Sequence, residues 1–205
     1  MSPVYLYVFQ YTVYSKKMIK KLREIAALSS GIYAKPDYSP DTLYLQAVHF
    51  DEFGKLDVLL QPQLSSEGKA RKHLLHEVDV LFAAKGTNNF GVVYWADYGM
   101  AVASSSFIVV RIKNESRGDI TPEYLAWFLS NTPEIRAFHR KQLGTTIPSI
   151  SIKMLSEVDV QVPPMERQQK INAIQQLRNK QKDLTMQLEV ARERKTKQLL
   201  INAIK

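Results

Sequence analysis

The C-terminal stretch places the strongest limit on how this chain folds. Residues 165–205 contain no glycine and no proline and are rich in Gln, Lys, Arg, Leu, Ile and Ala, which are acceptable or good helix formers. Pro163 and Pro164 stand immediately before this stretch, and proline is tolerated at a helix start but not in its interior. A helix of this length extends roughly 60 Å at about 1.5 Å per residue. The sequence therefore predicts a globular part followed by a long C-terminal helix.

The apolar residues of this stretch follow the alternating three- and four-residue spacing of a coiled-coil seam, which two polar residues interrupt. The seam residues are Ile174, Leu177, Gln181, Leu184, Leu188, Ala191 and Lys195. The rest of the chain offers no second helix of similar length, so we expect the seam to pack against a long helix of another chain. The alternatives are a helix folded back on its own domain and a solvated, partly frayed tail.

The composition excludes several kinds of site. There is no cysteine, which excludes disulfides and thiolate metal sites and favours a cytoplasmic protein. Of the four histidines, His73 and His76 are three residues apart, a spacing that places two ligands on one helical face. No carboxylate cluster accompanies them, so we expect neither a metal site nor a cofactor.

The positive charge is concentrated in the C-terminal stretch. The formal net charge is +8, and residues 165–205 alone hold ten Lys and Arg against four Asp and Glu. A basic balance suits a nucleic-acid or acidic-protein partner, although a charged helix face is often simply solvated.

Within residues 1–17, residues 1–14 are apolar and aromatic but do not resemble a signal peptide. No positive charge precedes them and no small-residue cleavage site follows. The run is too short to span a membrane. We expect an additional strand or an extension without an essential role.

The region from residue 18 to residue 164 is predicted to contain short strands and short helices. Apolar alternation and β-branched content predict strands at 42–50, 56–60, 76–84, 92–95, 107–112 and 158–162, with hairpin-like turn chemistry at 51–55. Helices are predicted at 20–28, at 122–130 with Thr121 as N-cap, at 133–138 and at 152–155. Many strands with few helices indicate an α/β or α+β domain with a sheet core, which the long helix follows.

The polar loop at residues 85–91 (KGTNNFG) lies between two predicted strands. A phosphate-binding P-loop needs Gly-Lys-Ser/Thr leading into a helix, whereas here the lysine comes first and a strand follows. Lysine contacts guanine or phosphate, and asparagine pairs with adenine. The loop is therefore either a DNA-reading loop or a plain connection between strands.

Asp57, Glu67 and Lys69 faintly resemble a metal-nuclease site, because two carboxylates and a lysine can hold Mg²⁺ and activate water. The spacing is permissive enough to arise by chance, and Glu67 and Lys69 lie in a Ser/Gly loop. A metal-dependent endonuclease remains an alternative function, as does a coiled-coil scaffold without DNA specificity.

Several motifs in a fixed order resemble the target recognition domain of type I restriction–modification specificity subunits. They are KLREIA at 21–26 with Ser30-Gly31, VDVL at 78–81 with Lys85-Gly86 and Gly91, TPEYLAWFLS at 121–130, GTTIPSIS at 144–151, and LSEVDVQVPP at 155–164 followed by ERQQKI at 166–171. Each motif is loose alone, and their order and spacing over residues 20–205 carry the resemblance.

The resemblance implies a non-catalytic reader of double-stranded DNA. In this family a specificity subunit recruits methyltransferase (M) subunits, and with a restriction (R) subunit the complex also cuts. The usual subunit has two recognition domains joined by two long antiparallel helices, whereas this chain has one of each. The resemblance therefore implies a recognition domain at 18–164 and a helix at 165–205 for dimerisation and M-subunit binding.

In such a homodimer we expect antiparallel helices and a palindromic pair of DNA half-sites. Polar and basic residues of four predicted loops are expected to face the DNA. They are Arg71, Lys72, Lys85, Thr87, Asn88, Asn89, Ser104, Ser105, Lys141, Thr145 and Thr146.

Overall fold

The computed structural model describes residues 18–51, 54–56, 59–68, 70–86, 88–141 and 148–204. The prediction for residues 1–17 lies outside them. The chain forms two compact units, one that ends at Gln168 and one that starts at Gln169. No helix among the described residues is long and apolar enough to cross a membrane.

The strands are short, as the sequence predicted. They are β1 (Met18–Lys21), β2 (Ala26–Ser30), β3 (Leu43–Leu45), β4 (Val80–Ala83), β5 (Gly91–Val93), β6 (Ala101–Ala103), β7 (Phe107–Ile112) and β8 (Asp159–Val162). The helices are α1 (Leu22–Ile25), α2 (Pro122–Asn131), α3 (Pro133–Lys141), α4 (Ile152–Ser156) and α5 (Met165–Ala203). Sheets followed by one long helix confirm the predicted fold class.

The central sheet has the strand order β2-β7-β4-β5, and all its pairs are antiparallel. All four residues of β4 are buried, because both faces of the sheet are covered. Leu81 and Ala83 belong to a core cluster that also contains Leu45 and Phe107. Helix α2 contacts β4 and β5, and a β carbon on Gly91 would lie 2.8 Å from the Ala126 carbonyl oxygen. Glycine at this position therefore lets the helix approach the sheet closely.

The predicted strand at 76–84 is shortened by a turn. Val78 has a φ of 63°, which β-branched residues rarely adopt, and the Asp79 N–H donates to the His76 carbonyl at 3.0 Å. The strand therefore begins only at Val80, and the alternation expected from Val78 onward is wrong.

The predicted helix at 20–28 is wrong except for one turn. β1 pairs with β8, β2 pairs with β7, and only α1 separates β1 from β2. α1 buries Leu22 and Ile25, two of the apolar residues that gave the helical pattern. Pairing with strands distant in the sequence therefore outweighs the local propensity on both sides of this turn.

The region 42–56 combines a confirmed turn with a shortened strand. β3 covers only Leu43–Leu45, and a 3-10 turn follows at Ala47–His49. Phe50 and Leu56 form an antiparallel bridge, as a hairpin-like turn requires. The predicted strand at 56–60 is described only in part, because residues 57–58 lie outside the described residues. β6, which was not predicted, pairs in parallel with β3.

The start of α5 is held within the first unit by Gln168, which is fully buried. Its Nε2 donates to the carbonyl oxygens of Asp119 (2.7 Å) and Pro163 (2.8 Å). Its Oε1 accepts from the Thr121 N–H at 2.9 Å. The Thr121 hydroxyl caps α2 by accepting from the Tyr124 N–H at 3.2 Å, which confirms the predicted N-cap.

Candidate nucleic-acid interface

Three segments that are distant in the sequence meet at one end of the central sheet. The Ala84 N–H donates to the Ser106 carbonyl, the Gly86 N–H to the Pro148 carbonyl, and the Ile150 N–H to the Ala84 carbonyl, each at 2.9 Å. We call residues 84–86, 88–89, 104–106 and 148–150 the Lys85 edge. The backbone bonds hold its segments together, so that side chains from three parts of the chain share one surface.

Lys85 supplies positive charge at this edge. Its side chain is exposed, and its Nζ donates to the Ser105 hydroxyl at 3.2 Å. Among the described residues it forms no ion pair. An ammonium group held by one neutral hydroxyl retains its charge and two further N–H donors for a phosphate.

Two residues predicted to face DNA are turned inward. The Asn89 amide donates through Nδ2 to the Ala83 carbonyl at 2.8 Å and so closes the end of β4. Its Oδ1 is buried and accepts no hydrogen bond from the described residues. Ser104 is 6% exposed, and its Oγ lies 2.6 Å from the Ser106 Oγ. We therefore remove Asn89 and Ser104 from the candidate interface, whereas Asn88 is exposed.

Arg71 and Lys72 are exposed residues of the 3-10 turn Ala70–His73. The next residue, Leu74, forms an antiparallel bridge with Val102 of β6. In an antiparallel pair, the residues before Leu74 lie opposite the residues after Val102. The turn therefore lies near Ser104, which belongs to the Lys85 edge. Of the remaining predicted contacts, Lys141 is the last residue of α3, and Thr87, Thr145 and Thr146 lie outside the described residues.

The opposite end of the sheet carries a buried ion pair that sequence reasoning missed. Asp79 is 1% exposed, and Arg111 donates to it through Nε at 2.7 Å and Nη2 at 2.6 Å. These hydrogen bonds raise the pKa of Arg111. An aspartate inside an apolar run was a usable signal, because a buried carboxylate needs a partner.

A pocket of about 250 Å³ lies beside this ion pair, and His76, Arg117 and Pro122 contribute to its lining. The described residues contain no group of three or more His, Cys, Asp and Glu side chains arranged to hold a metal. Of the three residues of the nuclease hypothesis, Glu67 is exposed in a turn, whereas Asp57 and Lys69 lie outside the described residues.

The seam of α5 is open to solvent in this single chain. Ile174, Leu177, Leu184 and Leu188 are 49 to 68% exposed. Gln181, Ala191 and Lys195 are exposed as well.

Comparison with known proteins addresses what kind of domain this is. The sequence matches the family model described as "Type I restriction modification DNA specificity domain" over residues 41–190. The chain belongs to this family. The match confirms the family that the ordered motifs indicated and favours it over the nuclease and scaffold alternatives. No curated protein sequence matches the chain.

Solved structures of specificity subunits share the fold. The HsdS subunit from Thermoanaerobacter tengcongensis aligns with a TM-score of 0.54 at 15% identity, over 80% of this chain and 37% of that one. The S subunit of the type I system from M. genitalium gives 0.57 at 10% identity, over 89% and 44%. A chain from a structure concerning assembly of the type I restriction–modification system gives 0.58 at 17% identity, over 89% and 43%. This specificity-domain chain thus spans about two-fifths of the length of each.

Proposed function

We propose that this chain is a DNA sequence-recognition subunit of a type I restriction–modification system and reads one half of a divided target. The observation that carries the proposal is the Lys85 edge, where three distant segments meet and Lys85 retains an unpaired charge. Arg71 and Lys72 add two exposed cations beside it. Lysine and arginine would hold phosphates, and Asn88 would contact bases.

The chain itself performs no catalysis in this proposal. It selects the DNA sequence, and methyltransferase subunits that dock on it carry out methylation. A restriction subunit that joins the complex would add cleavage. The family match supports this division of labour, as does the similarity to a chain from an assembled type I system. The complex would act in the cytoplasm.

A homodimer would place two recognition domains in one assembly. The seam of α5 is exposed and has no partner helix of similar length in the described chain. Antiparallel pairing of two α5 helices would relate the two recognition domains by a two-fold axis. The target would then be a palindromic pair of half-sites, and Gln181 and Lys195 would help to fix the helix register.

Methylome sequencing of cells with and without this gene tests the function. We expect loss of methylation at one sequence motif made of two inverted half-sites. Complementation with the wild-type gene should restore it, and complementation with Leu184→Glu plus Leu188→Glu should not. An unchanged methylome would refute the specificity role, whereas loss of a motif with unrelated half-sites would refute the homodimer alone.

Light scattering of the purified chain, alone and with its methyltransferase subunit, tests the dimer directly. The wild type should give twice the mass of the 23.5 kDa chain, and the double Leu→Glu variant should give a folded monomer. A wild-type monomer under both conditions would contradict the pairing.

A further inference from the structure

The segment that follows β2 is fixed against the Lys85 edge. The Gly31 N–H donates to the Phe107 carbonyl at 3.0 Å, and the Ile32 N–H donates to the Ala103 carbonyl at 2.9 Å. Ile32 also forms a parallel bridge with Ser104. Residue 33 therefore leaves the sheet beside Ser105, the residue whose hydroxyl holds Lys85.

The next residues alternate between core and solvent. Ile32 and Ala34 pack on a small buried cluster of Leu64, Ala70 and Val102. Successive side chains of an extended chain point to opposite sides, and a residue before proline, such as Lys35, favours an extended conformation. Tyr33 and Lys35 therefore point outward, and Tyr33 is 78% exposed.

Basic residues stand on both segments that meet at this cluster. The cluster contains Ala70, the first residue of the turn that carries Arg71 and Lys72. Lys35 is exposed and forms no ion pair among the described residues. Tyr33 thus offers a flat aromatic ring on a fixed backbone, near cations that form no ion pair among the described residues. In single-stranded nucleic acid, cations bind phosphates and aromatic faces stack on bases, and side chains that enter a duplex do so at unstacked base steps.

We propose that Tyr33 and Lys35 form a second DNA contact beside the Lys85 edge. Tyr33 stacks its ring on a base of the half-site at a step that is opened or unstacked, and Lys35 binds a neighbouring phosphate. The inference rests on the proposed function, because it names further residues of the same DNA-reading surface.

Tyr38 provides a matched control within the same loop. It is fully exposed but lies between two carboxylates. Asp37 accepts the Ser65 N–H at 2.8 Å, and Asp41 accepts the Ser66 N–H at 2.6 Å. Asp41 is ionised at neutral pH as an ordinary aspartate is, and hydrogen bonds from the Ser66 and Thr42 side chains lower its pKa further. This negative charge repels phosphates, and Tyr38 makes no DNA contact.

The experiment uses the full chain together with its methyltransferase subunit and measures DNA binding by fluorescence anisotropy. One duplex carries the motif identified by methylome sequencing, and the other carries a scrambled sequence. We expect Tyr33→Ala to weaken binding to the motif roughly tenfold, as loss of one base stack does. Tyr33→Phe should bind like the wild type because stacking needs the ring and not the hydroxyl. Lys35→Ala should weaken binding to both duplexes and lower the salt slope by about one. Tyr38→Ala should change nothing.

Wild-type affinity for Tyr33→Ala, or equal losses for Tyr33→Ala and Tyr38→Ala, would overturn the inference. So would a Tyr33→Ala variant that loses the methyltransferase subunit but not DNA, since Tyr33 would then belong to a protein interface. Tyr33→Leu, which keeps apolar bulk without an aromatic face, repeats the test if Tyr33→Ala melts early. In all these cases the proposed function stands if the wild type selects its motif. A wild type without any sequence preference refutes the proposed function itself.

Discussion

The two ends of the central sheet use charged side chains in opposite ways. At one end Asp79 is 1% exposed, and both its oxygens accept hydrogen bonds from Arg111. At the other end Lys85 is exposed, and among the described residues its Nζ donates to a single serine hydroxyl. In the first arrangement the two charged groups satisfy each other's hydrogen bonds and stabilise the fold. In the second, the lysine charge remains available to a ligand.

This difference separates structural polar groups from candidate functional ones. Gln168 belongs with Asp79, because three hydrogen bonds use its amide completely. Asn89 and Ser104 look like surface residues in the sequence, but their hydrogen bonds place them in the structural group as well. We therefore choose candidate interface residues by exposure together with an unused donor, and not by residue type alone.

Arg111→Ala should have the largest effect on stability. It leaves the Asp79 carboxylate buried without its partner, which costs about 3–5 kcal/mol. Urea unfolding should show this loss. Arg111→Lys should recover part of it, because lysine restores the charge but not the two parallel hydrogen bonds. A variant as stable as the wild type would show that the pair does not hold this end of the sheet.

Gln168→Ala should come next, at roughly 2–3 kcal/mol, because it removes the three hydrogen bonds of a fully buried amide. Its neighbour Gln169 is exposed, so Gln169→Ala is the matched control and should unfold with the wild type. If the two variants are equally stable, the hydrogen bonds of Gln168 do not contribute to the stability of the fold.

The buried hydroxyl of Tyr124 should make the stability of the fold depend on pH in the alkaline range. Burial raises the pKa of Tyr124 to about 12, above its ordinary value of about 10, and its hydroxyl donates to the Gln161 carbonyl at 2.7 Å. The folded state therefore holds the Tyr124 hydroxyl proton more tightly than the unfolded state does. The protonated hydroxyl contributes its full stabilisation below about pH 10, and this contribution is lost as the pH rises towards 12. Tyr124→Phe should cost about 1 kcal/mol at neutral pH.

The Tyr124→Phe variant should also flatten the alkaline part of the stability curve, measured by urea unfolding at several pH values. An equally steep alkaline loss in the variant would assign that loss to other groups.

Lys85→Ala should leave stability within about 0.5 kcal/mol of the wild type, because the side chain is exposed. It should instead weaken DNA binding and lower the salt slope by about one. Lys113 at the opposite end is a matched control, since its Nζ donates to the Arg23 carbonyl at 2.9 Å. If Lys113→Ala lowers the salt slope as much as Lys85→Ala does, DNA binding is not specific to the end of the sheet that carries Lys85.

Local signals predicted the elements that depend on neighbouring residues. The absence of Gly and Pro predicted α5, β-branched content predicted β7 at its observed bounds, and Thr121 before Pro122 predicted the start of α2. β1, β2 and β6 depend on partners far away in the sequence, and the parallel pairing of β6 with β3 leaves no local pattern. At the site, the sequence predicted interface residues in two of the three segments of the Lys85 edge. It predicted neither residues 148–150 as part of the interface nor the inward direction of Asn89 and Ser104, which tertiary hydrogen bonds determine.

Gly31 has a consequence for how such a chain acquires new targets. A β carbon at this position would lie 2.1 Å from the Ser104 carbonyl oxygen, so every other amino acid is excluded unless the backbone moves. Ile32 and Ala34 are constrained by the cluster they cover, whereas positions 33 and 35 meet only solvent in the described structure. Mutation is therefore free to exchange the two outward side chains while the glycine preserves the backbone that presents them. With the proposed contacts, a lineage could in this way change the base step it prefers through position 33 and its DNA affinity through position 35, without passing through an unstable intermediate.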